Sequence, residues 1–124
     1  MNFKKLGFAL AGMLMYGAAS HANAASVNGI AVNVVFFASN FYTTTLDAFT
    51  ILTDVAEANA FADLLDNFAR QGSGGTAIFT GINRAVDLLL NNGLDATIGT
   101  VIDVSGDGTS SSSTTAASRD NAVA

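Results

Sequence analysis

Three kinds of apolar patterning follow one another along this chain. "GIAVNVVFFAS" (29–39) is a nearly unbroken run rich in Val, Ile and Phe. A run of that kind suits a strand buried on both faces, as in a parallel sheet. "TTTLDAFTIL" (43–52) is β-prone and partly alternating, which predicts a second strand at an edge, antiparallel to the first across a short link. The period then changes. In "TDVAEANAFADLLDNFAR" (53–70), Val55, Ala58, Phe61, Leu64, Leu65 and Phe68 form one helical stripe. Asp54 stands in the N-cap place, with Glu57 in capping-box relation to it. "QGSGG" (71–75) breaks the helix. "TAIFTGINRAVDLLLNN" (76–92) predicts another, with Ile78, Ile82, Ala85, Val86, Leu89 and Leu90 on one face and Gly93 in the place of a C-terminal cap. "TIGTVIDVS" (97–105) reads as a third strand, "TSSSSTT" (109–115) as a low-complexity loop, and "AASRDNAVA" (116–124) as the start of a helix. Two helices between long apolar strands argue for an α/β layer with a mainly parallel sheet. Ligands of such sheets collect outside the carboxyl ends of the strands.

The start of the chain has a different character. Lys4 and Lys5 precede the apolar run "LGFALAGMLMYGAA" (6–19), and "ANA" (22–24) supplies the small residues of a cleavage site. This is the three-part pattern of a secretory leader. It predicts a chain exported to the periplasm or beyond, with residues 1–24 removed and residues 25–124 forming one domain. The run is short of the roughly 20 residues that a membrane span requires, so no stable span is expected.

Removing the leader leaves Arg70, Arg84 and Arg119 against all ten acids, a formal charge of −7 where the whole chain has −5. Such a surface does not suit nucleic acid or an anionic membrane, but it suits cations. The chain has no cysteine, and its single histidine, His21, lies in the leader. Disulfides, thiolate chemistry and histidine-based catalysis or zinc ligation are therefore excluded from the mature chain.

Four chemistries compete for "VIDVSGDG" (101–108) and "GSGGT" (72–76). "SGDGT" (105–109) is similar to the DxDGT motif of haloacid dehalogenase-type phosphotransferases, but Ser105 stands where the attacking carboxylate belongs, so that mechanism fails. A calcium loop lacks its distal bidentate Glu. "GSGGT" opens a helix and could hold an anion on its amides. It has no GK[ST], and a plain turn with Thr76 as N-cap explains the same residues. The fourth is a hydroxyl and a carboxylate, Thr76 and Asp107, meeting at one rim of the sheet. That pair suits a hard cation such as Mg²⁺, although two protein ligands hold it weakly.

"GGTAI" at a helix start, followed by "VIDVSGDG" and "SRDNAVA", resembles the exported bacterial von Willebrand factor A-like proteins of unknown function. The resemblance runs from about Gly29 to Ala124. It implies a partial doubly wound, Rossmann-like α/β fold and protein binding through a metal-ion-dependent adhesion site, without catalysis. It also implies that Thr76 matches the second part of that site and Asp107 the third. The first part, a DxSxS strand, has no counterpart before Ile30, so Mg²⁺ is expected to bind weakly or not at all. Asp103 is then a strand residue that needs a partner, with Arg84 and Arg119 the nearest by sequence. The absent strand leaves two expectations: direct pairing of 29–38 with 98–104, or an open core slot. An exposed apolar strand edge would be a route to oligomers. Two further readings stand beside this one: a metal-independent assembly protein that uses such an edge, and a non-functional fragment of a longer domain.

Overall fold

The computed structural model describes residues 11–13, 15–16, 29–69, 71–94, 99–106 and 108–124. Its strands are β1 (Ala11–Met13), β2 (Met15–Tyr16), β3 (Ile30–Val32), β4 (Val34–Phe37), β5 (Phe41–Tyr42), β6 (Thr50–Leu52) and β7 (Ile102–Val104). Its helices are α1 (Val55–Asp66), α2 (Ile78–Leu90) and α3 (Ser112–Ala122), with a 3-10 turn at Thr45–Asp47. The chain is thus a small mixed α/β structure with helices and short strand pairs.

β2 pairs with β3, and β1 with β4, in one shared register. Tyr16 lies opposite Ile30, Met15 opposite Ala31, Gly12 opposite Val34 and Ala11 opposite Val35. The break between β3 and β4 falls at Asn33, a buried residue whose amide Nδ2 donates to the Asp47 backbone carbonyl at 3.1 Å. On its other edge the 30–37 segment pairs with β6 through Ala31 and Ile51, and with β5 through Phe37 and Phe41. β1 also pairs with β7, Ala11 opposite Val104 and Met13 opposite Ile102.

Every described pairing is antiparallel, which differs from the mainly parallel sheet read from the apolar runs. The reason is the strand in the middle. β4 and β7 both run opposite to β1, so they point the same way, but they do not touch as neighbours. Neither expectation for the absent strand holds in this chain: the N-terminal segment itself stands between 34–37 and 102–104.

β4 is buried on both faces, with Val34 at 2% and Val35 at 0% exposure. Its alternation sends residues to two different helices. Val35 packs with Ala85 and Leu88 of α2 and with Ile102 of β7. Phe37 lies against Gly81 of α2, where an added Cβ would meet the ring at 2.4 Å. Val34 and Phe36 pack with Leu46 and, on α1 and its C-terminal turn, with Phe61, Leu65 and Phe68. The Phe36 and Phe68 rings stack at 5.3 Å with 7° between their planes. The sheet therefore has α2 on one face and α1 on the other. Each Val or Phe buried this way contributes about 1.5–3 kcal/mol, so β4 is the centre of stability.

Several local expectations change. Only Thr50–Leu52 of the 43–52 run is strand. The Thr44 hydroxyl accepts from Leu46 N–H and the Asp47 carboxylate accepts from Thr44 N–H, which closes the 3-10 turn instead. Asp54 does cap α1, accepting from Glu57 N–H at 2.8 Å. Glu57 reaches back one residue further than a capping box requires, to the N–H and hydroxyl of Thr53. On α1 the stripe is only half used, because Val55 and Leu64 are exposed, as is Leu90 on α2. Gly93 has the left-handed φ of 69° expected near a helix end, two residues past the cap at Asn91. The third strand is shorter than 97–105, and residues 95–98 lie outside the described residues. α3 begins inside the Ser/Thr run read as a loop, with the Ser111 and Thr114 hydroxyls 3.2 Å apart in its first turn.

Candidate functional site

Because β4 and β7 point the same way, and Val35 and Val104 are both level with Ala11, their carboxyl ends open on one rim. α2 starts at the same rim. Ala77 N–H donates to Ala38 O at 2.6 Å, just after β4. Gly75 N–H donates to Ser39 Oγ at 2.9 Å, and Gly74 (φ 99°) passes so close that a Cβ would sit 2.6 Å from that oxygen. On the other side, Ile78 N–H donates to Ser110 Oγ at 3.3 Å, and the Thr115 hydroxyl of α3 donates to the same oxygen at 3.2 Å. Thr76 does not cap α2, as its sequence position suggested. The cap place is Ala77, with no side-chain bond, and Ser110 from a distant loop supplies the acceptor.

Thr76 instead faces the loop after β7. A Cβ on Gly108 would fall 2.0 Å from Thr76 Oγ1 and 2.8 Å from its Cβ, so the bare glycine backbone is what lets the two segments meet. Asp107, the second residue read as a ligand, lies outside the described residues, as does Arg70. The residue directly after Asp107 is therefore in contact with Thr76. Asp103, on β7, is exposed to solvent. The two arginines proposed for it are engaged elsewhere, Arg84 with Asp47 and Asp87 and Arg119 with Asp120.

The donors at this rim are mostly hydroxyls: Ser39, Thr76 and Ser110. Among the described residues, no three acidic or histidine side chains cluster, and every buried side-chain nitrogen or oxygen has a partner. A divalent cation needs carboxylate oxygens for tight binding, and the described donors at this rim are hydroxyls, with Asp107 outside the described residues. The anion cradle also loses ground. The amides of Gly75, Ala77 and Ile78, which would face a phosphate, already bond to Ser39, Ala38 and Ser110. A hollow of about 200 Å³ beside the rim is lined by Ile78, Ser110, Thr115 and Arg119. A larger one of about 400 Å³ lies between β6 and the C-terminal half of α2, lined by Phe49, Ile51, Leu88 and Leu94 with Asp47 and Asp87 at its border. Neither gathers a nucleophile beside a base.

A family model described as "Protein of unknown function (DUF1194)" matches residues 7–124. The chain belongs to this family. No curated protein and no solved structure matches it. The DUF1194 match takes in the residues of β1 and β2, and it reaches back into the apolar run read as a leader.

The sequence singled out Thr76 and Asp107; Thr76 lies against Gly108, and Asp107 is outside the described residues. It missed Ser39 and Ser110, because a serine in a loop carries no signal of the amide it will receive. It also missed the Asp47–Arg84 pair, whose residues lie 37 apart in sequence.

Proposed function

We propose that this DUF1194 chain is an exported, degenerate relative of von Willebrand factor A domains that acts in protein binding and not in catalysis. Its Mg²⁺-type adhesion site is weak or lost. The observation that carries the reading is the contact between Thr76 and Gly108 at the rim where β4 and β7 both end. Thr76, read as the second part of the adhesion pattern, lies there beside the residue that follows Asp107, read as the third, and this nearness supports the reading. Helices on both faces, and β4 and β7 pointing the same way, favour a doubly wound frame. The leader pattern favours the periplasm or the exterior. Among the described residues, no helix is long and apolar enough to cross a membrane.

The test is calorimetric titration of the exported chain with Mg²⁺ or Mn²⁺. The expected result is a Kd of about a millimolar or weaker, in line with the weakest extracellular cation modules. A micromolar Kd abolished by Asp107→Ala would overturn the degenerate site.

A further inference from the structure

Chemistry of a different kind gathers at the hollow between β6 and the C-terminal half of α2. Its volume of about 400 Å³ falls within the range of small-molecule seats, about 300–1,000 Å³. Phe49 and Ile51 line it from the sheet side, Leu88 and Leu94 from α2 and the turn beyond. All four are only half-buried, so apolar surface is left in water that a ligand could cover. The floor is held from behind. Phe49, Ile51 and Leu94 pack on Ala31 of β3, and Leu88 packs on Val35 and Ala85.

The border is polar and unequal in charge. Asp47 and Asp87 bring two carboxylates, and the single guanidinium of Arg84 is shared between them. Two acids against one base leave a formal charge of −1, in a chain whose own charge is −5. The donors at this border are engaged. Arg84 gives Nε and Nη2 to Asp47 and Nη1 to Asp87, and Asn91 gives Nδ2 to the backbone carbonyl and Oδ1 of Asp87. Acceptor capacity remains. A carboxylate can take about four hydrogen bonds, and the Asp87 oxygens receive Arg84 on one and Asn91 on the other while 60% of the side chain stays exposed.

Charge then selects the ligand. An anion would meet Asp87 with Arg84 already engaged. A neutral apolar molecule would gain burial alone. A small cation with an apolar body gains burial on the floor and a charge-assisted hydrogen bond at the border. We propose that this hollow binds small primary ammonium compounds with an apolar body, the ammonium at Asp87 and the body on Phe49, Ile51, Leu88 and Leu94. The inference goes beyond the adhesion reading and does not depend on it.

The experiment is a titration of the ¹⁵N-labelled full chain followed by NMR. The probe is 2-phenylethylammonium, with 3-phenylpropionate and 2-phenylethanol as its anionic and neutral counterparts and methylammonium as a cation without a body. Saturable shifts are expected at Phe49, Ile51, Leu88 and Leu94. The ammonium compound should bind about tenfold tighter than the carboxylate, since an exposed ion pair adds a little for one and a like charge costs a little for the other. Added salt should narrow that gap. Asp87→Asn should remove the preference for the cation and keep the fold, because Asp87 is exposed and Arg84 still has Asp47. Ala48→Phe, at an exposed position on the border, should weaken all three phenyl probes by filling the hollow. Equal or tighter binding of the carboxylate would overturn the proposal. So would equal binding of methylammonium, shifts spread over the acidic surface without saturation, or binding that neither substitution changes.

Discussion

Arg84 ties α2 to Asp47, 37 residues earlier, and to the nearby Phe41. Its Nε and Nη2 donate to Asp47 Oδ2 at 3.1 and 2.8 Å, its Nη1 donates to Asp87 Oδ2 at 3.0 Å, and its guanidinium lies 5.5 Å from the centre of the Phe41 ring. Asp47 is the more buried partner, with 8% of its side chain exposed against 23% for Arg84. The asymmetry decides which substitution costs more. Arg84→Met leaves a carboxylate buried without its cation, while Asp47→Asn leaves an arginine that can turn to water or Asp87. Breaking a buried pair costs about 3–5 kcal/mol, and the partial exposure of Arg84 brings the expected loss for Arg84→Met to about 2–4 kcal/mol. Asp47→Asn should lose about half of that. Urea denaturation of the two variants checks the order, and equal losses would contradict it. None of this was legible from residue types, because an aspartate in "TLDAF" looks like a turn until the arginine that meets it is known.

At the scale of elements, one of the two N-terminal caps read from the sequence holds, Asp54 on α1, while Thr76 does not cap α2. Asp54 caps α1 where the sequence places it, because the cap is a contact between residues three apart. The stripe on α1 depends instead on what lies opposite. Phe61, Leu65 and Phe68 find β4 and the 3-10 turn, but Val55 is 75% and Leu64 47% exposed, and no residue of α1 is fully buried. α2, with Gly81, Ile82 and Ala85 buried, is the better anchored helix. Hydrogen exchange should therefore show α1 opening locally, with faster amide exchange than α2. Asp54→Ala should lower the stability of α1 by about 1 kcal/mol and speed exchange there while leaving α2 unchanged. Uniform acceleration across both helices would mean that α1 is part of the global unit. The Ser/Thr run failed as a loop for a related reason. Ser and Thr are weak helix formers alone, yet α3 packs on α2 with Ser118 buried, and that packing outweighs propensity.

At the scale of the whole molecule, the apolar runs revealed the presence of a sheet and of helices between its strands, but not the order of the strands. "GIAVNVVFFAS" was legible as a buried strand, "LGFALAGMLMYGAA" has the pattern of a leader, and nothing in either run says that they pair. A full-length chain carrying Gly12→Pro tests that pairing. Loss of a bond inside the sheet, with its acceptor left unmet, should lower stability by about 1–3 kcal/mol. An unchanged denaturation midpoint would remove β1 from the sheet's interior. The pairing of Ala11 with Val104 also sets a clock. Val104 is synthesised about 90 residues after Ala11, which at about 5–20 residues per second is a delay of roughly 5–20 s. Throughout that interval the N-terminal segment lacks one of its two neighbours in the sheet. A nascent chain built this way cannot close its sheet until its last strand is made, so its folding is completed only near the end of synthesis.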